Sequence, residues 1–390
     1  MVNSGSNFFY WYQHMISCHR TKHLNILITL IAVIWIAACS PSGNASVATP
    51  LVTVTQTALP EPNITTIKAT STSTVTPEPT VTATATSTST PDPYQAYTID
   101  YLVSRGYGGG ELRAEEVMAV NSYFTRTLVS YPSDRLRIYG FMNTPRRVSG
   151  ESGEKLPVVI ALHGYIDPAI YTTLDYTTRY ADALAREGFI VLHPNLRGYA
   201  PSDDGENLFR VGMAVDVLNL IATIKEQAGQ PGPLEDADPA LIGIWGHSMG
   251  GGISTRVITV SEDVRAAVLY GAMSADDQKN FERIYQYFSN RQRGIEELSA
   301  SQEAFQRISP IHYLERIQAA VSIHHGEHDP DVPLAWSLDL CQQLIDLGKV
   351  VECFTYDGQP HTFHDEGDQL FIQRIIEFYT KWLKAEDIRS

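Results

Sequence analysis

The sequence predicts an α/β fold in which a mostly parallel central sheet is covered by helices on both faces. From residue 158 onwards, apolar runs of five to seven residues alternate with stretches of helical periodicity. Such runs are typical of strands buried on both faces, and connections of a dozen or more residues join parallel strands. In addition, residues 124–143 predict a hairpin, because alternating apolar residues flank a Pro-Ser-Asp turn. An antiparallel pair is therefore expected at one edge of the sheet.

Six strands and five helices are predicted to follow the hairpin. The predicted strands are Val158–Leu162, Phe189–His193, Ala240–Trp245, Ala266–Tyr270, Val321–His325 and Val350–Tyr356. The predicted helices are Thr172–Arg186, Leu208–Gln227, Gly250–Val260, Leu334–Leu347 and Asp368–Lys384. One connection, residues 274–313, is too long for a simple crossover. Its helical, aromatic and charged sequence predicts either a lid or a long helix packed on the sheet, and both interpretations stay open.

The chain before residue 94 is expected to lie outside this domain. Residues 40–93 consist mainly of Thr, Ser, Pro, Ala and Val. They carry too few large apolar side chains to offset the entropy of ordering, so they predict a disordered stalk. Residues 94–390 then form one globular domain, which carries the whole formal charge of −15. Because this acidic domain has no runs of Lys or Arg, we expect it to bind neither nucleic acid nor anionic lipid headgroups.

The N-terminal 39 residues have the pattern of an export signal. Arg20, Lys22 and His23 precede a run of roughly 15 mainly apolar residues, which is shorter than a membrane-spanning helix needs. The run ends in Ile-Ala-Ala-Cys39, which resembles the lipobox of bacterial lipoproteins. That resemblance implies that Cys39 is diacylated and anchors the protein to a membrane, since two acyl chains attach a protein stably. A plain signal anchor with an incidental cysteine is the alternative.

Two further cysteines fall in the globular domain. Cys341 lies on a predicted helix and Cys353 on the strand that follows it. A disulfide is geometrically feasible in an oxidising compartment. Two buried free thiols are the other interpretation, and the sequence does not choose between them.

The strongest chemical motif is Gly246-His247-Ser248-Met249-Gly250. A predicted strand ends just before it and a predicted helix starts at its last residue. This is the context of a nucleophile elbow, in which a serine lies on a sharp strand-to-helix turn. Glycine is needed at the flanking positions because a side chain there would collide with neighbouring backbone. The pattern predicts that Ser248 is a nucleophile.

A serine hydroxyl needs a base that accepts its proton. In the α/β-hydrolase fold the order along the chain is serine, acid, histidine. Downstream of Ser248, the strand that ends in His325-Gly326 is followed by Asp329 and Asp331, and the next strand leads into a loop with His361 and His364. Both loops follow the carboxyl ends of strands, where open α/β sheets bind their ligands.

These loops carry a resemblance to a known family. HHGEHDPDVP and YDGQPHTF are similar to the acid and histidine loops of the prolyl oligopeptidase family and of dienelactone-hydrolase-like esterases. SYPSDRLRIYGFMNTP, LHPNLRGYAPSD and ISPIHYLERI resemble further segments of that catalytic domain. By position, the resemblance implies that Asp329 is the acid and His361 the base. Asp331 and His364 are the alternatives for the two roles.

An oxyanion hole requires two hydrogen-bond donors. The N–H of Met249, which follows the nucleophile, is the first candidate, and the N–H of Tyr165 after Leu162-His163-Gly164 is the second. This loop matches neither the HGGG of many esterases nor the Tyr-Gly-Gly of typical prolyl peptidases.

Together these residues predict hydrolysis of an ester or a peptide bond through an acyl-enzyme, without cofactor or metal. The family resemblance favours a peptidase, whereas the lack of a propeller in this chain equally suits a carboxylesterase. A metal site is the alternative that the histidines and aspartates clustered in these loops suggest: His324, His325, His328, Asp329, Asp331, His361 and His364. A non-catalytic surface-binding module is a further alternative, and the complete Ser-Asp-His set argues against it.

Overall fold

The computed structural model describes residues 92–146 and 153–384. The predicted signal peptide with Cys39, and the predicted stalk as far as residue 91, lie outside the described residues. Among the described helices, none is both long enough and apolar enough to cross a lipid bilayer.

The described strands form one nine-stranded sheet in the order β1-β2-β3-β5-β4-β6-β7-β8-β9. The strands are β1 Arg113–Val120, β2 Phe124–Ser133, β3 Leu136–Pro145, β4 Leu156–Leu162, β5 Ile190–Pro194, β6 Ala237–His247, β7 Val264–Tyr270, β8 Ala320–Gly326 and β9 Val351–Tyr356. Neighbouring strands from β5 to β9 pair in parallel, and β1, β2, β3 and β5 pair antiparallel. The predicted mostly parallel sheet and edge hairpin are confirmed. The additional edge strand β1 was not predicted, because nearly all its residues are exposed and it lacks an alternating apolar pattern.

Nine α-helices connect or flank these strands in the described residues. They are α1 Ile99–Ser104, α2 Thr178–Arg186, α3 Val211–Gln227, α4 Met249–Val260, α5 Asp277–Arg283, α6 Ile295–Leu298, α7 Gln302–Ile308, α8 Leu334–Asp346 and α9 Asp365–Leu383. The predicted start of α2 at Thr172 was wrong by six residues. Asp175 explains the difference, since its carbonyl closes a turn with the N–H of Thr178 just before the helix.

The segment 274–313 contains several short helices rather than one long helix. A π-helical turn, Ile284–Phe288, follows α5, and Gly294 then adopts a positive φ of 83° before α6. Phe281, Ile284 and Glu297 of this segment line a cavity together with Met249. The segment therefore forms one wall of this cavity and is not the single long helix of the other interpretation.

Hydrophobic cores cover both faces of the sheet. On β4, Val158, Ile160 and Leu162 pack into one core with α3 and α4, whereas Val159 and Ala161 pack into the other with α2 and α9. This alternation follows from the two-residue period of a strand. Because β6, β8 and β9 are parallel, their carboxyl ends meet at one edge, which brings the loops after them together.

Cys341 of α8 and Cys353 of β9 form a disulfide, with their Cα atoms 6.4 Å apart. The two interpretations that the sequence left open are thereby resolved in favour of the bridge.

Buried histidines should make the domain sensitive to acid. Burial lowers the pKa of both His193 and His324 to about 3, so both are neutral in the folded protein at pH 7. An unfolded chain protonates histidine near pH 6.5, so between about pH 6.5 and 3 the unfolded state binds more protons. We expect the free energy of unfolding to fall as the pH drops through this window, by up to about 1.4 kcal/mol per pH unit and histidine.

Urea unfolding between pH 7 and pH 5 measures this effect. In His193→Gln the slope against pH should be shallower than in the wild type. His328→Gln is the matched control, because His328 is exposed. A slope that is the same in wild type and His193→Gln would contradict the assignment to His193.

Candidate active site

Ser248 lies on the sharp turn between the end of β6 at His247 and the start of α4 at Met249. Its backbone has φ 55° and ψ −114°, a conformation that costs a non-glycine residue on the order of 1–3 kcal/mol. The surroundings hold it there: the Ser248 N–H donates to the carbonyl of Tyr270 (2.9 Å), and the Ser248 carbonyl accepts from the N–H of Met273 (3.1 Å). Hydrogen bonds to β7 and to the loop after it therefore stabilise the strained conformation of Ser248.

The flanking glycines are required by close backbone contacts. A Cβ at Gly246 would lie 2.3 Å from the carbonyl oxygen of Gly250. A Cβ at Gly250 would lie 2.4 Å from the carbonyl oxygen of Leu162 at the end of β4. Both distances are too short for any side chain, which is the structural reason for the motif predicted from the sequence.

Asp329 and His361 are hydrogen-bonded to each other. The distance from Asp329 Oδ2 to His361 Nδ1 is 2.7 Å, and the side chains are 1% and 14% exposed. Asp329 Oδ1 accepts from the N–H groups of Asp331 (2.8 Å) and Val332 (2.9 Å). This pairing leaves His361 Nε2 free of the aspartate. The pair lies near the elbow. Gly271 directly follows Tyr270, whose carbonyl binds the Ser248 N–H, and a Cβ at Gly271 would lie only 3.2 Å from His361 Nδ1.

The carboxylate of Asp329 is stabilised in its ionised form. Burial by itself would raise its pKa, but hydrogen bonds from His325 and His361 outweigh burial and hold the pKa well below its usual range. His325 Nε2 lies 3.1 Å from Asp329 Oδ2 and 3.0 Å from the carbonyl oxygen of Val332, while His325 Nδ1 contacts Ser337 Oγ at 2.7 Å. His325 therefore supports the acid from a second side, a role that the sequence did not reveal.

The two alternative residues have other surroundings. The His364 side chain is 60% exposed, and its Nδ1 lies 3.0 Å from the carboxylate of the adjacent Asp365. The backbone carbonyl of Asp331 accepts from Arg283 of α5, which also donates to the carbonyl of Pro330 at 2.9 Å. The segment over the site is thus tied to the acid loop, and the structure pairs Asp329, not Asp331, with His361.

A relay of hydrogen bonds joins three loops around Ser248. The N–H of Gly164 donates to the hydroxyl of Tyr176 (3.0 Å), and this hydroxyl contacts His247 Nδ1. Burial raises the pKa of Tyr176 and lowers that of His247, so the tyrosine keeps its proton and the histidine is neutral. His247 Nε2 then donates to the backbone carbonyl of His361 (2.9 Å). The relay connects the loop after β4, the elbow and the histidine loop.

Replacing Tyr176 with phenylalanine should disturb this arrangement. The change removes both hydrogen bonds of the hydroxyl and leaves two buried groups without a partner, so we expect the free energy of unfolding to fall by about 2 kcal/mol. Since small misplacements of reacting groups are costly, kcat should fall by about 10- to 100-fold.

Tyr171→Phe is the matched control for this change. Tyr171 is also buried, and its hydroxyl donates to Asn195 Oδ1 at 3.0 Å. The control should lose stability but keep kcat within a few-fold of wild type. Equal losses of kcat in the two variants would show that the Tyr176 relay does not position the site.

Tyr165 and Met249, whose amides are the predicted oxyanion donors, line the same cavity. Met249 is the first residue of α4, so its N–H has no acceptor one turn earlier in the helix. In the loop after β4, the amide of Gly164 donates to the hydroxyl of Tyr176. The amide of Ile166 donates to the hydroxyl of Tyr199. The amide of Tyr165 lies between them and bonds neither hydroxyl. The loop approaches the nucleophile closely, because a Cβ at Gly164 would lie 3.2 Å from Ser248 Cβ.

The cavity has a volume of about 340 Å³. It is lined by Tyr165, Pro168, Arg197, Gly198, Tyr199, Asp204, Asn207, Arg210, Met213, Met249, Phe281, Ile284, Arg293, Gly294 and Glu297. Both apolar and charged side chains contribute. The cavity therefore offers space for a substrate group next to the two candidate oxyanion donors.

The histidines and aspartates of the acid and histidine loops do not all converge. One ligand atom each of Asp329, Asp331 and His361 lies within 4.8 Å of the others. Both oxygens of Asp329, however, already accept hydrogen bonds from protein groups. His324 is buried away from this group, bonded to Ser322 Oγ (2.8 Å) and the hydroxyl of Tyr356 (2.7 Å).

Comparison with known proteins agrees with this architecture. The uncharacterized peptidase YuxL of Bacillus subtilis (strain 168) is 21% identical over 251 residues, which cover 64% of this chain and 37% of YuxL. The acylaminoacyl peptidase of Pyrococcus horikoshii superimposes with a TM-score of 0.54 at 22% identity, covering 69% of this chain and 44% of that one. This chain thus spans less than half the length of either peptidase.

An esterase of similar size has the same fold. Acetyl xylan esterase 1 from Thermoanaerobacterium sp. JW/SL YS485 superimposes with a TM-score of 0.52 at 17% identity, covering 73% of this chain and 92% of the esterase. A family model described as the prolyl oligopeptidase family matches residues 175–386, more than half of the sequence. The chain belongs to the prolyl oligopeptidase family and has an α/β-hydrolase fold.

Proposed function

We propose that this protein is a serine hydrolase that cleaves an ester or peptide bond through an acyl-enzyme. The observation that carries the proposal is the strained Ser248 elbow beside the hydrogen-bonded pair of Asp329 and His361. Membership of the prolyl oligopeptidase family supports it. Ser248, Asp329 and His361 are the proposed catalytic triad, and the amides of Tyr165 and Met249 are the proposed oxyanion hole.

The reaction follows from the geometry of these groups. His361 Nε2 accepts the proton of the Ser248 hydroxyl as Oγ attacks the substrate carbonyl carbon. Asp329, which is ionised, holds the imidazole by Nδ1 and stabilises the imidazolium. The amides of Tyr165 and Met249 donate to the oxyanion of the tetrahedral intermediate. His361 then gives the proton to the leaving group, and a water molecule hydrolyses the acyl-enzyme by the same steps.

Peptide and ester substrates are supported by different observations. The peptidases that this chain resembles favour a peptide bond. A carboxylesterase is the second candidate, because the acetyl xylan esterase shares this fold over 92% of its length. The triad itself does not distinguish the two, since both reactions use the same groups.

Two measurements test the proposal. A fluorophosphonate probe should label the folded wild-type protein and not Ser248→Ala. Hydrolysis of p-nitrophenyl acyl esters should then be compared with that of aminoacyl-prolyl anilides, with and without excess EDTA. Failure of the probe to label folded wild-type protein would favour the non-catalytic binding module, and loss of activity in EDTA would contradict a metal-free mechanism.

We also propose that the enzyme acts outside the cytoplasm, anchored through Cys39 and held away from the membrane by the stalk. The export signal in residues 1–39 supports this, and the Cys341–Cys353 disulfide suits an oxidising compartment. Cys39→Ala should move the protein from the membrane fraction into the soluble exported fraction. Unchanged membrane retention would contradict lipid anchoring.

A further inference from the structure

The cavity beside Met249 contains a guanidinium without an acidic partner. Arg210 lines this cavity, and its Nη1 contacts the sulfur of Met273 at 3.5 Å. Its guanidinium carbon lies 5.5 Å from the centre of the Phe281 ring. Within residues 92–146 and 153–384, Arg210 makes no ion pair with a carboxylate. Burial lowers the pKa of this guanidinium, as expected for a cation whose charge is poorly compensated.

Neighbouring acidic groups are bound elsewhere. The charges of Asp277 and Glu297 raise the pKa of Arg210 in part, but Asp277 forms a buried ion pair with Arg256. Arg197, which also lines the cavity, is paired with Asp216 at 2.7 Å. The charges of Arg197 and Arg256 are thus each compensated by an aspartate in an ion pair, whereas Arg210 has no such partner among the described residues.

The backbone at Arg210 is held in an unusual conformation. Phe209 and Arg210 have φ values of 54° and 57°, and two successive non-glycine residues in this region cost on the order of 1–3 kcal/mol each. Phe209 is buried and makes edge-to-face contacts with Phe281 and Phe305. These contacts anchor the turn, so Arg210 is displayed at the cavity from a fixed backbone.

The remaining charges of the cavity lie on its rim. Arg293 is exposed, and its guanidinium lies 4.5 Å from the centre of the Tyr165 ring. Glu297 and Asp204 also line the cavity. Burial raises the pKa of Glu297, and among the described residues it forms no ion pair with Arg210 or Arg293. Within residues 92–146 and 153–384 the only hydrogen bond of either guanidinium is the one from Arg210 Nη1 to the sulfur of Met273, so the other donors remain open to a ligand.

The position of the cavity indicates which part of a substrate enters it. Tyr165 and Met249, the proposed oxyanion donors, line the cavity, whereas His361 does not. The leaving group must lie near His361, because His361 protonates it. The acyl group, attached to the same carbonyl carbon, is then directed into the cavity.

We propose that Arg210 binds a carboxylate on the acyl group of the substrate, with Arg293 adding attraction at the rim. The inference rests on the proposed hydrolase function and specifies its substrate class. A planar guanidinium donates two parallel hydrogen bonds to a carboxylate, which makes arginine well suited to this recognition. Monoesters of dicarboxylic acids and peptides cleaved after an acidic residue share the required chemistry.

A pair of substrates that differ in one methyl group, and thereby in charge, tests the proposal. The first is the mono-4-nitrophenyl ester of adipic acid, and the second is the same ester with its free carboxyl methylated. After subtraction of spontaneous hydrolysis, the wild type should have a kcat/KM about 10-fold or more higher for the acid than for the methyl ester. Arg210→Gln should lower kcat/KM for the acid by about 10- to 100-fold and change that for the methyl ester less than about 3-fold.

The methyl ester reports whether each variant is folded and active. Arg210→Lys, which keeps the charge but not the planar fork, should retain part of the preference for the acid. Arg265→Gln is the matched control, because Arg265 is exposed near the opposite end of β7 and should affect neither substrate.

Two outcomes would overturn the inference and leave the proposed function standing. One is a wild-type enzyme that is labelled by fluorophosphonate and hydrolyses both esters equally. The other is an Arg210→Gln variant that unfolds at the wild-type temperature and yet loses both activities to the same extent. Absence of both labelling and hydrolysis in the wild type would overturn the proposed function itself.

Discussion

His361→Ala should lower kcat by about 10⁶-fold, whereas His364→Ala should leave kcat within a few-fold of wild type. His361 is the imidazole that hydrogen-bonds Asp329, so its loss removes the base that activates Ser248 and the acid that protonates the leaving group. His364 is exposed and pairs with the neighbouring Asp365. The rate of fluorophosphonate labelling of Ser248 should fall in the first variant only.

The fold should tolerate the change at His361. The backbone carbonyl of His361, which accepts from His247 Nε2, is retained in the alanine variant. A thermal unfolding curve close to that of the wild type would show that lost activity is not lost structure. The opposite pattern, with activity surviving in His361→Ala and lost in His364→Ala, would exchange the proposed roles of the two histidines.

The parts of this molecule that the sequence predicts are those specified by neighbouring residues. Ser248 was predicted as a nucleophile because two glycines, a strand and a helix stand next to it in the chain, and the structure has this elbow. The parallel strands were predicted because burial on both faces produces continuous apolar runs. Strand β1 was missed because an exposed edge strand needs no such pattern.

Contacts between distant residues were not predictable in the same way. Tyr176 and His247 are separated by 71 positions and meet only because β4 and β6 are adjacent and parallel. His325 was identified as a strand-terminal histidine, but nothing local shows that its ring reaches Asp329. For the relay, one signal was available in the sequence: His247 lies inside the elbow motif, so its side chain must pack near the nucleophile.

That Arg210 has no acidic partner among the described residues was likewise not predictable from the sequence. Arg197, Arg210 and Arg256 look alike as isolated arginines in the chain. The fold pairs Arg197 with Asp216 and Arg256 with Asp277, and so distinguishes Arg210 as the one of these three without an acidic partner in the described residues. Such a difference depends on tertiary placement, which composition and periodicity do not encode.

Asp329→Asn should lower kcat by about 10⁴-fold, whereas Asp331→Asn should change kcat only a few-fold. An asparagine at 329 keeps the shape of the side chain but removes the charge that stabilises the imidazolium, and its amide group no longer fixes the tautomer of His361. The amides of Asp331 and Val332 still find an oxygen acceptor in this variant, so the acid loop should keep its conformation.

The pH dependence separates this role from general destabilisation. Because hydrogen bonds hold the pKa of Asp329 well below its usual range, its carboxylate stays ionised between pH 6 and pH 8. We therefore expect the 10⁴-fold difference in kcat between wild type and Asp329→Asn to persist from pH 6 to pH 8. Asp331→Asn is the demanding control, since its carboxylate lies within 4.8 Å of the other two ligand atoms. Asp331→Asn could instead lose as much activity as Asp329→Asn. Both carboxylates would then act together as the acid, and the Asp329–His361 hydrogen bond alone would not account for the orientation of the base.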